Sequence, residues 1–234
     1  MSCLRWFGAI LLLMAMGAQA AGPGLVVSTN NTPIDRKALD LLAREAFRRV
    51  GLEFKLVSNP SERSLVMANE GEVDGEGLRI AGLSTQYPNL VQVPERFVGV
   101  SFVAFSKGTQ IKVDQGWDSL KPHRVAFITG WKLYEANATG AKSVMRLEKP
   151  EQLFKMLDAG RVDLVLYTRA DGSALVRGLN LQDIVPLTPA LKEVDMYLYL
   201  NKKHEAWVQK IAQALREMKA DGSYSRIMTD VMAD

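Results

Sequence analysis

Two stretches of this chain repeat one order of elements, and that repetition restricts the fold more than any other feature. The first begins with the apolar run Leu25-Val26-Val27, which ends in the polar tip Ser28-Thr29. A helix-period segment follows to Gly51, then a strand over Glu53–Ser58, then a helix opened by Pro60 that ends near Gly71. Val73-Asp74 leads into a third, Gly-rich strand. The second stretch has a strand over Arg124–Ile128 with the tip Thr129-Gly130 and a helix from Trp131 to about Thr139. It continues with a strand over Val144–Leu147, a helix from Pro150 to Gly160 and a strand over Val162–Tyr167. Gly71-Glu72-Val73-Asp74 and Gly160-Arg161-Val162-Asp163 occupy equivalent places. A βαβαβ order calls for a parallel sheet with helices on its faces.

The helix after the first strand is the clearest. Leu39, Leu42, Ala43, Ala46, Phe47 and Val50 share one face, as a period of 3.6 requires. Thr32, Pro33 and Asp35 make a T-x-x-D start, which predicts a capping box. Two similar units need a junction. Val98–Ser106 is a long apolar strand entering the second unit through Lys107-Gly108, and Val194–Leu200 alternates and leads out again. The expected architecture is α/β: two lobes, each a mainly parallel sheet flanked by helices, joined by two crossover strands. Residues 21–106 and 195–234 form lobe 1, and residues 107–194 form lobe 2. Two C-terminal helices, separated by Asp221-Gly222-Ser223, are expected to pack on lobe 1.

Residues 1–20 read as a signal peptide. Arg5 precedes the apolar stretch Trp6–Met16, and Ala18-Gln19-Ala20 fits cleavage before Ala21. Export to the periplasm is therefore expected, with loss of Cys3, the single cysteine, and with it all thiol and disulfide chemistry. No later stretch is apolar for long enough to suggest a membrane helix. The formal charge is +3. Both signs are mixed along the chain with no run of five like charges, which argues against nucleic acid as a partner.

Near the end, Leu200-Asn201-Lys202-Lys203-His204 is followed by Ala220-Asp221-Gly222-Ser223-Tyr224 and Ile227. Together with Pro60, Arg63, Gly71 and Val73-Asp74, and with Asp118-Ser119-Leu120, Val125 and Gly130, this resembles the bacterial extracellular solute-binding protein family 3. The resemblance implies two lobes that close hinge-fashion on a ligand, and delivery of that ligand to an ABC-type permease. A monomer is expected. Relatives that bind amino acids carry an arginine late in the first lobe for the ligand carboxylate. Here Ser84-Thr85-Gln86-Tyr87-Pro88-Asn89 has none. They also place an aspartate five residues after the second Val-Asp, where this chain has Thr168.

Ligands in open α/β sheets bind outside the carboxyl ends of strands, and that rule selects candidates. Thr29, Asn30 and Asn31 follow the first strand, where they could bond a ligand or merely shape the turn. Arg79, after Gly75-Glu76-Gly77, suits a carboxylate or phosphate, or else a salt bridge with Glu76 or Glu95. Arg63 could meet a ligand anion, or pair with Asp74 or Glu62. In the second unit, Gly130, Trp131 and Lys132 run from strand tip into helix, a place where free amides can seat an anion; Trp131 could instead pack between lobes. Tyr167, Thr168 and Arg169 leave the strand after Asp163. Arg169 could clamp an anion or pair with Asp171. Asp74 and Asp163 are expected to tie down local backbone, and His204 to lie on a solvated face.

Metal-protease, P-loop, nucleophile-elbow and dinucleotide motifs are missing from the sequence, and no cofactor or metal is expected. The expected function is a non-enzymatic receptor for a small polar or anionic molecule. Two rivals remain open: a dehydratase-like enzyme using Glu76 and Lys132, and a sensing partner of a membrane receptor.

Overall fold

The computed structural model describes residues 24–30 and 32–233. The leader segment with Cys3, and Asn31, lie outside them. The chain runs β1 (Gly24–Thr29), α1 (Pro33–Arg49), β2 (Glu53–Ser58), α2 (Ser61–Glu70), β3 (Gly75–Arg79), β4 (Leu90–Gln92) and β5 (Val98–Lys107). It continues with β6 (Arg124–Ile128), α3 (Lys132–Asn137), β7 (Ser143–Leu147), α4 (Pro150–Asp158), β8 (Leu164–Thr168) and α5 (Arg169–Gly178). The remainder is β9 (Ile184–Pro186), β10 (Lys192–Asn201), α6 (Glu205–Ala220) and α7 (Ser223–Ala233).

The two repeated units form as their patterns require. β1 pairs in parallel with β2 and β3, and β6 in parallel with β7 and β8. The lobes are nonetheless mixed and not mainly parallel, because the two crossing strands add to them in the antiparallel sense. β10 uses Tyr197–Leu200 against β3 and Tyr199–Asn201 against β4, while Lys192–Met196 pair with β5. β5 in turn borders β8 and β9. The ladder is therefore continuous from β2 to β7 only through the two strands that cross between the lobes.

The apolar face of α1 is buried as its period dictates, with Leu39, Leu42, Ala43, Ala46 and Phe47 all fully enclosed. The glycines of β3 answer to close packing on both sides. A Cβ on Gly75 would lie 2.5 Å from the Tyr199 carbonyl oxygen, and one on Gly77 would lie 2.2 Å from Leu39 Cδ2. α5 has no counterpart among the expected elements. Its Gly172 and Gly178 disguise the helical period, and Gly172 is needed because a Cβ there would stand 2.4 Å from the Phe105 ring.

Asp74 and Asp163 hold backbone as expected. Asp74 Oδ2 accepts from Val26 N at 2.8 Å, and Asp163 Oδ2 accepts from Arg124 N at 2.7 Å. His204 does not lie on a solvated face: its Nε2 is 2.7 Å from Asp74 Oδ1, where Lys203 Nζ also arrives at 2.9 Å. Burial pushes the Asp74 carboxyl up, but the Val26 amide, Lys203 and His204 together outweigh burial and leave it below the ordinary range. A lowered folded-state value gives stability that is present above the unfolded-state value and lost as pH falls through the folded one. Asp74→Ala is expected to cost about 1–3 kcal/mol at pH 7 and much less near pH 3, as read by urea denaturation at the two pH values.

Candidate ligand cleft

The strand tips of the two parallel units meet across a small cavity. Asn30, Thr32, Asp35 and Arg79 line it from one side, Gly130, Trp131, Lys132 and Thr168 from the other, and Leu78, Phe102 and Met196 add apolar surface. The centre of a water-sized molecule can move over about 40 Å³, room for roughly three waters. The lobes are closed.

Leu78 has φ +54°, a strained value for a bulky residue. It coincides with a register shift between Tyr197 and Tyr199 on the facing strand. The usual alternation is broken, so Leu78, Arg79 and Ile80 all border the cavity. The Arg79 guanidinium is held from behind. Its Nε donates to Glu76 Oε1 at 2.6 Å, Nη1 to Ser61 Oγ at 2.6 Å and Nη2 to the Ser61 carbonyl at 2.9 Å. Glu76 is fully buried and also accepts from the Ser64 hydroxyl. Burial pushes its carboxyl up to about 7, against the lowering influence of the Arg79 charge and of the bonds from Ser64 and Arg79. Thr29 donates to the Gly77 carbonyl at 3.2 Å. Arg63 is not at the cleft: α2 buries Ser61, Ser64, Leu65 and Ala68, which leaves position 63 on the exposed face. Nor do its expected partners meet it, since Asp74 pairs with Lys203 and His204 and Glu62 pairs with Lys132.

In the second lobe the anion seat expected at Gly130 is taken by the protein itself, because Gly130 N donates to Glu135 Oε1 at 2.9 Å. Lys132 Nζ lies 2.8 Å from Glu62 Oε2 and 3.1 Å from Glu135 Oε2, and the Tyr87 hydroxyl donates to Glu62 Oε1 at 2.7 Å. This clasp joins α2 of one lobe to α3 of the other. Burial opposes the Lys132 charge, yet the two carboxylates hold it above its ordinary value. Glu62→Gln is expected to change stability by less than about 1 kcal/mol while enlarging the radius of gyration in solution scattering, as the clasp loosens. Trp131 stacks on Tyr167, with centroids 4.6 Å apart, and on Tyr134 at 5.9 Å. Its Nε1–H is buried without a partner. Arg169 Nη2 donates to the Leu187 carbonyl at 3.2 Å, and the residue does not line the cavity but borders an adjoining groove with Ser101 and Arg177, which shares Asp35 and Thr168 with it.

Asp171 replaces the predicted capping box. Thr32 donates to Asn30 Oδ1 at 2.7 Å and makes no side-chain cap bond. The first amides of α1 instead find Asp171, which accepts from Ile34 N at 2.7 Å and from Asp35 N at 3.4 Å. Thr168 Oγ1 lies 3.4 Å from Asp171 Oδ2. Burial raises both the Asp35 and the Asp171 carboxyls above the ordinary carboxylate range, and the neighbouring Asp171 charge raises Asp35 further. Sequence reasoning missed Asp35 on the cavity wall, Glu62 as the partner of Lys132 and Asp171 as the cap of α1. Each reads locally as an ordinary acid in the first turn of a helix, and its partner stands 70 to 137 residues away.

Among the described residues no helix is long and apolar enough to cross a membrane, and no group of His, Cys, Asp and Glu could hold a metal. No protein-family model matches the sequence. An uncharacterized protein of Shewanella oneidensis is 26% identical over 206 residues, which span 81% of this chain and 74% of that protein. Among solved structures, a histidine kinase sensor domain with similarity to periplasmic binding proteins superposes with a TM-score of 0.77 at 15% identity, covering 90% of this chain and 96% of that one. A mutant of ArgBP from T. maritima gives 0.74 at 20% identity, with 90% and 96% covered. The GluR0 ligand-binding core from Nostoc punctiforme, in complex with (L)-glutamate, gives 0.72 at 18%, with 87% and 96% covered. The chain has the two-lobed periplasmic-binding-protein-like α/β fold.

Proposed function

We propose that this protein is a receptor for a small polar solute held between its two lobes. The observation that carries the reading is the cavity at the facing strand tips, with polar and aromatic groups supplied from both sides. A solute enters when the lobes part about β5 and β10 and is enclosed at this cavity when they close over it. The Glu62–Lys132 clasp forms in that closed state, and ligand binding shifts the population towards it. The proposed lobe boundaries are residues 21–106 with 195–234, and residues 107–194, with the changeover on β10 near Met196 and Tyr197. Membership of solute-binding family 3 is supported by the Asp221-Gly222-Ser223-Tyr224 turn between α6 and α7. Export by the leader and delivery to an ABC-type permease follow from that membership. The likeness to a kinase sensor domain supports signalling as the second destination.

A catalytic reading fits less well. Glu76 lies outside the cavity wall and is committed to Arg79 and Ser64, while Lys132 is committed to two carboxylates. A thermal-shift screen of amino acids, organic acids, polyamines and sugars tests the reading. A true ligand at 100 times its Kd adds about 2.7 kcal/mol, a rise of roughly 5–10 °C. No rise with any class would end the proposal.

A further inference from the structure

The outer edge of the second lobe is bare where the opposite edge of the sheet is protected. β7 (Ser143–Leu147) is the last strand of the sheet, with β6 on one side and no strand on the other. Successive side chains of a strand point to opposite faces, yet the first four residues of β7 are all exposed. The β6 partners of Val144, Met145 and Arg146, which are Val125, Ala126 and Phe127, are all buried. Only three large apolar side chains are exposed among the described residues, and two of them are adjacent here: Val144 at 37% and Met145 at 40%. At the opposite edge, exposed Glu53 and Lys55 flank Phe54 on β2, and Arg44 Nη1 donates to the Phe54 carbonyl at 3.4 Å. Charge and cover of that kind keep an edge from pairing. On β7 the one charged side chain, Arg146, lies over the Phe127 ring at 5.9 Å, and the apolar pair is left open.

The backbone decides which groups can pair. The Leu147 carbonyl turns to β6, where it accepts from Thr129 N at 3.0 Å. Backbone groups alternate in direction along a strand, so those of Ser143 and Met145 also face β6, and the N–H and C=O of Val144 and Arg146 point outward. A second copy of the strand, arriving antiparallel, must bond through Val144 and Arg146. Registers centred on Arg146, on Val144 and on Met145 all satisfy this. The first sets Arg146 opposite itself, and the second sets Arg146 opposite Lys142; like charges face each other in both, which is unfavourable. The third sets Val144 against Arg146 and Lys142 against Glu148, each twice by symmetry, with Met145 meeting Met145 on the axis. Lys142 and Glu148 are both exposed and have no ion-pair partner among the described residues.

We propose that a second copy of this protein pairs with it along β7, as an antiparallel two-fold dimer centred on Met145 and closed at both ends by Lys142–Glu148 ion pairs. The pairing satisfies the outward backbone groups of Val144 and Arg146, covers the exposed apolar pair and continues the sheet from one copy into the next. It is independent of the solute-receptor reading and sets aside the expectation of a monomer. A single strand pair is a small contact, so the dimer is reversible and depends on concentration.

Sedimentation velocity of the purified protein, from about 1 to about 200 µM to span weak association, is expected to show the dimer growing with concentration. Lys142→Glu and Glu148→Lys each place like charges opposite one another at both ends of the junction, and each should weaken association by roughly tenfold or more. Both positions are exposed, so the fold should be unchanged, which circular dichroism checks. Two recoveries belong to this register alone. The double variant should dimerise like the parent, and an equimolar mixture of the two single variants should form a heterodimer, because each supplies the charge that the other lacks. With Cys3→Ser in the background, Met145→Cys should cross-link two copies on mild oxidation, since facing residues of such a pair lie about 4.5 Å apart at Cα. A parent that stays monomeric over the whole range would overturn the proposal, and so would single variants that dimerise as well as the parent.

Discussion

Arg79→Ala is expected to lower the unfolding midpoint by about 10 °C at pH 8, the largest stability effect of any single change at the cleft. Arg79 and Glu76 are both buried and bonded to each other. Removing one partner of such a pair leaves an uncompensated charge and costs about 3–5 kcal/mol, at roughly 2–4 °C per kcal/mol for a chain of this size. The loss should depend on pH in a definite direction. Burial raises the Glu76 carboxyl to about 7 in the folded protein. A raised value means that its contribution is complete below the unfolded-state value and is lost as pH rises through the folded one. Without Arg79 the carboxyl rises further, so at pH 5 the variant buries a neutral acid and at pH 8 it is forced either to bury a charge or to take up a proton. Thermal unfolding of both proteins at pH 5 and pH 8 should show the smaller deficit at pH 5. Combining Arg79→Met with Glu76→Gln should recover much of the loss, since no charge then remains buried. Equal deficits at both pH values would show that the pair is not the source.

Gly130→Ala is expected to abolish closure without unfolding the protein. Gly130 has φ +82°, and an added Cβ would stand 2.7 Å from Glu62 N and 3.0 Å from its Cα. The strain of a left-handed alanine is about 1–2 kcal/mol, which the fold can absorb. The clash is with backbone of the other lobe, so no rotamer relieves it, and only separation of the lobes does. If the closed form falls to about 1% of molecules, the apparent affinity for solute drops about 100-fold. Solution scattering should report a larger particle at the same time. Gly160→Ala is the control: it has φ +65° with nothing within 4 Å of the added Cβ, so it carries similar strain but should leave affinity unchanged. If Gly130→Ala binds solute as well as the parent, closure across Glu62 is not part of binding.

Some of this was legible from residues alone because the causes are local. The α1 face follows from spacing within one helix, and the two Val-Asp aspartates hold the start of a neighbouring parallel strand in each unit, so one pattern appears twice. Strand tips as the location of the cleft follow from topology. By contrast, the roles of the arginines were not legible. Arg63 and Arg79 both stand near helix or strand ends, yet one is exposed on α2 and the other is locked by Glu76 and Ser61. Only the backbone reversal at Leu78 brings Arg79 to the cavity wall, and nothing in the composition signals a leucine at positive φ.

Periodicity and punctuation by glycine and proline determined two parallel units, two crossing strands and a pair of terminal helices, since burying an apolar stripe is a demand each segment makes on its own. Which charges meet was decided by the tertiary structure. Asp171 caps a helix that begins 137 residues earlier, and Lys132 reaches a glutamate 70 residues away. Electrostatic partners are chosen by distance in space after the lobes close, and a desolvated group accepts whichever donor the packing delivers.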